Sequence, residues 1–434
     1  MTIDNELNYQ KSKIISYFKE NEKSRDEFKI GAEFEHFIVD GDTLSAISYY
    51  GDRGIESTLR ELINKGWKGK YEDNYLMGLE KNRSTITLEP GAQVELSTRP
   101  CKSVHEVENE YLGFLHDIIP ILNKKNQFII SLGYHPQSKI EEISFIPKSR
   151  YKYMSEYLKK RGKYAHNMMK GTASLQVTLD YCSEEDYIKK FRIANSLSPI
   201  ISYIFDNAPF FEGEVWNKNT VRVDIWDNCD NDRCKVIPKS LDKVFRYEDY
   251  AEYILNAPPI IVERNDEFRF TGDKPFKDIY NPSEFSNKDL EHVLTMYFPD
   301  VRTKKFIEIR MADSVPYPFN ISGVALWKGL LYDEKNVDYL FNKLKSFTND
   351  SVAELKRDII NLGKNVKIME KDILEFAKEI ISIAKEGLDE EEANYLLPLK
   401  ELIDKEKNLS SLIKEKIYLG KHRALEKAIL NNLI

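Results

Sequence analysis

Two short stretches place acids where a buried strand is ordinarily apolar, and that demand governs what the chain can fold into. In Leu88-Glu89-Pro90-Gly91-Ala92-Gln93-Val94-Glu95-Leu96-Ser97, strand alternation sends Gln93, Glu95 and Ser97 to one face and Val94 and Leu96 to the other. The Pro90-Gly91 turn signal bends the backbone between Glu89 and Glu95, aiming both carboxylates into one concavity. The device recurs in Ile30 to Val39, where Glu33 and Glu35 share a face opposite Ala32, Phe34, His36 and Ile38. Carboxylates two residues apart in an apolar strand repel each other and lose hydration, and divalent metal is the natural compensation. An all-oxygen donor set suits Mg2+ or Mn2+ rather than zinc. Either stretch alone also reads as a half-exposed strand with an acidic outer face.

The remaining elements decide the fold class. A helix is expected over residues 3 to 21, then the first acidic strand with Asp40-Gly41-Asp42 as its turn, and a helix from Ile55 to Lys65. Strand-like runs follow at Trp67 to Tyr71, Tyr75 to Glu80 and Ser84 to Leu88. Ser103 to Lys125 has helical spacing, and Gln127 to Gly133 reads as a strand. Because the strands arrive in clusters, the class is α+β with an antiparallel sheet rather than parallel βαβ units.

Gly171 to Tyr181 is the clearest alternating strand, with Thr172, Ser174, Gln176, Thr178 and Asp180 on one face. Such polar, mostly uncharged groups suit a ligand floor or a solvated outer face. A helix is expected from Arg150 to Gly162 and another from Glu184 to Phe205. Asn219 to Asp232 reads as a polar loop in which Arg222, and after it Arg233, are candidate clamps for a substrate carboxylate. Lys304 to Ala312 is the last strong strand, with Phe306, Glu308 and Arg310 on one face. From Ile321 onward the periodicity is almost wholly helical, and the absence of a flexible linker predicts that residues 336–434 pack on a catalytic domain of residues 1–335.

A chain of 434 residues with 41% hydrophobic and 12% aromatic content can fill a sizeable core. Its net charge of -7 argues against a general nucleic-acid binder. No run approaches 18 uninterrupted apolar residues, which argues against a membrane span, and Met1 to Glu20 lacks a signal-peptide layout, so a cytoplasmic protein is expected. The four cysteines, Cys101, Cys182, Cys229 and Cys234, make no disulfide framework and no zinc set.

Neither a G-x-x-x-x-G-K-[ST] loop nor a G-x-G-x-x-G fingerprint occurs, so a nucleotide must be held by another route. Carboxylate-bound Mg2+ provides one, since it bridges phosphate oxygens. Glu33, Glu35, Glu89, Glu95 and Glu308 suffice for two or three ions, with Arg310 facing a transferring phosphoryl group and Arg222 the substrate carboxylate.

Six motifs in order, IGAEFEHF, TLEPGAQVELS, MMKGTASLQVTLDY, NTVRVDIW, FPDVRTKKFIEIRMAD and LWKGLLYD, are similar to those of plant and proteobacterial glutamate-cysteine ligases. The resemblance runs from about Ile30 to Tyr332. It implies the glutamine synthetase-like fold, a curved antiparallel sheet forming an open bowl. It also implies ATP as co-substrate, Mg2+ or Mn2+ as cofactor, and glutamate and cysteine as substrates. The metal role falls on Glu33, Glu35, Glu95 and Glu308, with Glu89 and Gln176 joining them; Arg310 and Arg222 are the catalytic pair. Arg222, Arg233, Gln93 and Thr172 are the substrate-binding candidates. Three departures stand out: Ala92 in place of the second Gly of Gly-Gly-Gln, Thr98-Arg99 in place of a Gly-Ala pair, and Cys234-Lys235 after Arg233. They put the amine substrate in question more than the reaction. Other readings are a γ-glutamyl ligase with another amine, a guanidino phosphotransferase and a catalytically silent Mg-nucleotide binder.

Overall fold

Strand β1, Ile30–Asp40, is the spine of the main sheet, because its two halves pair with different neighbours. The structure is a computed structural model, and it describes residues 3–264, 267–281 and 285–434. Further strands are β2 (Lys68–Glu72), β3 (Tyr75–Lys81), β4 (Ser84–Leu88), β5 (Val94–Ser97), β6 (Gln127–Ile130) and β7 (Ser174–Leu179), followed by the hairpin strands Val301–Thr303 and Ile307–Asp313. Among the described residues these nine form one sheet, ordered Val301–Thr303, Ile307–Asp313, β7, β1, β5, β4, β3, β2, with β6 on the far half of β1. Every pairing in it is antiparallel, and the sheet does not close on itself.

Alternation splits the central strands cleanly. Phe34, Val94, Leu96, Leu175, Val177 and Ile309 are buried on the back face. Helices cover that face, Glu184–Ile204 over the final strand and two others over the centre. Val104–Lys124 is capped by Ser103, whose hydroxyl accepts the Glu106 N–H at 3.2 Å, and it buries Val107, Tyr111, Phe114, Leu115, Ile118, Ile119 and Leu122 as the spacing predicts. Phe319–Leu331 is apolar nearly all round and lies beneath β7 and β1. The antiparallel sheet with helices on one side bears out the α+β expectation.

The differences from the expected elements have local causes. Strand β7 begins at Ser174 rather than Gly171, because Ala165–Gly171 is a short helix ending against the Tyr134 ring. Asn219 to Asp232 is not a loop: Val221–Asp227 is a helix started by Thr220, whose φ of 47° is left-handed and unusual for a β-branched residue. Arg99 does not add charge near the floor, since it ion-pairs with Glu106 at 2.9 Å and Glu110 at 2.8 Å on the covering helix. The C-terminal helices pack directly on this framework: Ile373–Glu386 lies against Phe319–Leu331, and Asn431 closes on β6 through Gln127 and Ile129. No helix among the described residues is long and apolar enough to cross a membrane.

Candidate active site

Register assembles the floor. Glu33 stands opposite Gln176 of β7 on one side and Ser97 of β5 on the other, and Glu35 stands opposite Glu95, which faces Thr87 of β4. Glu308 stands opposite Thr178 and Arg302. Strand alternation therefore delivers Glu33, Glu35 and Glu95 from β1 and β5 to one concave face, with Glu89 beside them at the Pro90-Gly91 turn and Arg310 from the final strand; Glu308 lies buried and does not line the cleft.

The acids divide by what already occupies their oxygens. Glu35 accepts from the Ser174 N–H at 2.7 Å, the Ser174 hydroxyl at 2.8 Å and the Gln176 amide at 2.8 Å. Glu308 is fully buried and holds three cations: Arg302, Lys304 at 2.8 Å and Arg310 at 3.2 Å. Burial alone would raise its carboxyl, but those cations hold it well below the ordinary carboxylate range. Glu95 is half engaged, with one oxygen accepting from Thr87 at 2.7 Å and Ser97 at 3.1 Å. Glu33 and Glu89 are half-buried and lie open to the cleft. Burial, and then neighbouring carboxylates, push Glu33, Glu89 and Glu95 up to about 7. Lys148, Arg150, Arg302, Lys304 and Arg310 on the cleft wall offset only part of that rise, and the set's all-oxygen chemistry fits a hard divalent cation.

The arginines also differ. Arg222 is buried, lines the cleft, and its Nε has no hydrogen-bond partner; the Nε1 of Trp226, one helical turn on, has none either. Both side chains line the cleft, and a buried guanidinium in its wall suits an anion. Asp206 fixes the helix that presents them, accepting the Thr220 N–H at 3.0 Å. Arg310 donates to Gln176 and to Glu308, keeping its guanidinium across the floor.

Several expected contacts go elsewhere. Arg233 is absent from the cleft and bound to Asp230, the Tyr157 hydroxyl at 3.1 Å and the Pro258 carbonyl at 2.7 Å, which makes it a buried tie rather than a substrate group. Gln93 lines the cleft but spends its amide on the backbone, donating to Thr172 at 2.9 Å and accepting from Gly91 at 2.8 Å. Thr172 turns its hydroxyl to the Met168 carbonyl at 2.7 Å. Gln176 is spent bridging Glu35 and Arg310. Cleft residues not singled out from the sequence include Trp226, Lys148, Arg150, Arg302 and Lys304. Trp226 had a signal, since it follows Arg222 at helical spacing, whereas Lys148 and Arg150 reach the cleft only through tertiary folding.

The crystal structure of a glutamate-cysteine ligase from Francisella tularensis in complex with AMP shares the fold, with a TM-score of 0.57 at 13% identity over 92% of this chain and 87% of that one. That likeness shows the fold, and the family to which the sequence belongs makes the chain an ATP-dependent ligase. The sequence then gives the family: the profile of glutamate-cysteine ligase family 2 matches residues 29–415, and the chain belongs to that family. The chloroplastic glutamate-cysteine ligase B of Oryza sativa subsp. japonica is 32% identical over 386 residues, covering 87% of this chain and 77% of the relative. The chloroplastic enzyme of Arabidopsis thaliana is 29% identical over 400 residues, covering 90% and 76%. These relatives overturn the cytoplasmic expectation, since both are chloroplastic proteins.

Proposed function

We propose that the cleft phosphorylates the γ-carboxylate of L-glutamate with ATP and transfers the acyl group to the amine of L-cysteine. In the first step a carboxylate oxygen bonds to the terminal phosphorus and ADP leaves. In the second, the amine nitrogen bonds to the acyl carbon, phosphate leaves, and the nitrogen gives up a proton. The products are γ-glutamylcysteine, ADP and phosphate.

The observation that carries this reading is the Arg222 Nε, buried and unpartnered beside the Trp226 indole N–H. A desolvated guanidinium of this kind has somewhere to put a substrate carboxylate. Arg310, held by Gln176 and Glu308, would stabilise charge on the transferring phosphoryl group. Glu33, Glu89 and Glu95 would hold Mg2+ or Mn2+, and the engaged Glu35 and Gln176 would support them. Among the described residues no three acidic, histidine or cysteine groups converge to hold one ion, so each ion would take one or two carboxylates and complete its shell with phosphate and water. A bound cation would neutralise phosphate charge during transfer. Residues 1–335 would form the catalytic domain and residues 336–434 a helical buttress on it.

The test supplies purified protein with ATP, Mg2+, glutamate and a panel of amines. Cysteine-dependent release of both ADP and phosphate is the expected result, and ADP without phosphate would overturn it. Arg222→Lys is expected to weaken glutamate by about 2–5 kcal/mol, as loss of a desolvated charge pair does, while sparing ATP.

A further inference from the structure

The helix Val221–Asp227, seven residues long and carrying Arg222 and Trp226, is too short to hold its own angle and is pinned at both ends. Asp206 takes the N–H of Thr220 at its start. At its finish stands Lys356, a buried side chain from the C-terminal helix Asn349–Leu362. The Lys356 Nζ lies 3.5 Å from Asp227 Oδ1 and 2.6 Å from Asp300 Oδ2. Asp300 also receives the Ser198 hydroxyl, and its carbonyl accepts the Arg310 N–H at 3.0 Å. One ammonium thus joins the element that presents Arg222 to the strand that presents Arg310. It lines a small cavity together with both arginines, Trp226, Asp227 and Asp300.

We propose that Lys356 is a positioning residue, by which the C-terminal helical region sets the place of Arg222 and thereby the affinity for glutamate. This rests on Arg222 being the carboxylate clamp. Without the ammonium, Asp227 and Asp300 would lose the counter-charge they share and repel each other across the wall, with Lys235 left to offset Asp227 in part, and the helix end would move away. Arg310 lies at the bulge between Ile309 and Ala312, but it is less exposed to the loss because its guanidinium is held independently of Lys356, by Gln176 and Glu308. Glutamate binding is therefore affected before ATP binding.

The experiment compares Lys356→Met, Lys356→Arg and Asp227→Asn with the parent and with Arg222→Lys, by steady-state kinetics and thermal melting. Lys356→Met is expected to raise the KM for glutamate about tenfold, within the range that a sub-ångström misplacement produces, with the KM for ATP within about twofold. Lys356→Arg should recover most of the loss, since it restores the charge. A lower melting temperature with an unchanged glutamate KM would make Lys356 a structural ion pair only and overturn the proposal. If Lys356→Met does not fold, Asp227→Asn, which removes only the helix-side partner, must raise the glutamate KM at least about threefold; an unchanged value overturns the proposal. Arg222→Lys separates the two failures. A raised KM there with none from Lys356→Met or Asp227→Asn sinks the positioning role alone, whereas no effect from Arg222→Lys sinks the clamp and the positioning role together.

Discussion

Glu308 and Arg310 stand two residues apart on one strand with a carboxylate oxygen 3.2 Å from a guanidinium nitrogen, and that same oxygen also receives Arg302. The other oxygen receives Lys304 at 2.8 Å. An acid holding three cations in a fully buried position serves as an anchor for them and has little capacity left for a metal ion. Glu308→Gln is accordingly expected to cost about 3–5 kcal/mol of stability, the scale for breaking a buried ion pair, with little change in the Mg2+ concentration needed for turnover. Denaturant melts beside a Mg2+ titration check it. A stable variant with a much increased Mg2+ requirement would restore Glu308 as a metal ligand.

Arg310 is the cation of that group which also reaches across the floor, through Gln176 to Glu35. Arg310→Met keeps bulk and removes the charge, so turnover should fall by roughly 100-fold or more while the glutamate KM changes little. Turnover within a few-fold of the parent would leave Arg310 as a structural partner of Glu308.

Most of the floor was legible because a period of two is a local property. Glu33, Glu35, Glu95 and Gln176 of β7 are all set by alternation, and the structure brings them to one cleft. What each acid does there was not legible, because the partners arrive by register and hairpin closure: Glu308 meets Arg302 across the hairpin, and Glu35 meets Ser174 from 139 residues away. The Val221–Asp227 helix was hidden for the same reason, its start depending on Asp206. The Asp230 contact of Arg233 was not legible either, since it forms in a turn beyond the helix rather than at helical spacing.

Ala92 occupies a left-handed conformation, φ 66°, at the position where the resembling motif carries its second glycine. A side chain there costs about 1–2 kcal/mol, partly offset because alanine restricts the unfolded chain more than glycine does. Ala92→Gly is therefore expected to stabilise the protein by up to about 1 kcal/mol and to leave the kinetic constants near those of the parent. Chemical denaturation reads the first and steady-state kinetics the second. A destabilised variant would mean that the Ala92 methyl, which is buried, contributes more by packing than it costs in backbone strain.

The three cleft acids with unengaged oxygens make the fold sensitive to pH in a direction that cations reverse. Glu33, Glu89 and Glu95 move from an ordinary value of 4.5 to about 7, through burial first and then repulsion from neighbouring carboxylates, Glu35 and Glu308 included. A carboxyl with a raised folded value favours the fold when protonated. That contribution is complete below about pH 4.5 and is lost as the pH climbs through 7, with the three groups titrating as one interacting set. The size is on the order of 3 kcal/mol for a fully shifted group, and less for Glu33 and Glu89, which keep contact with solvent. In EDTA the melting temperature should fall between pH 5.5 and 8, and Mg2+ or Mn2+ should raise it more at pH 8 than at pH 6, because ionised acids bind the cation. Glu33→Gln and Glu89→Gln each remove one member of the set. Each variant should melt higher than the parent at pH 8 in EDTA, gain less from added cation, and turn over slowly. Melting curves across pH in EDTA, Mg2+ and Mn2+ decide the matter: a flat profile for the parent, or equal gains from cation in the parent and both variants, would remove these three acids from the metal site.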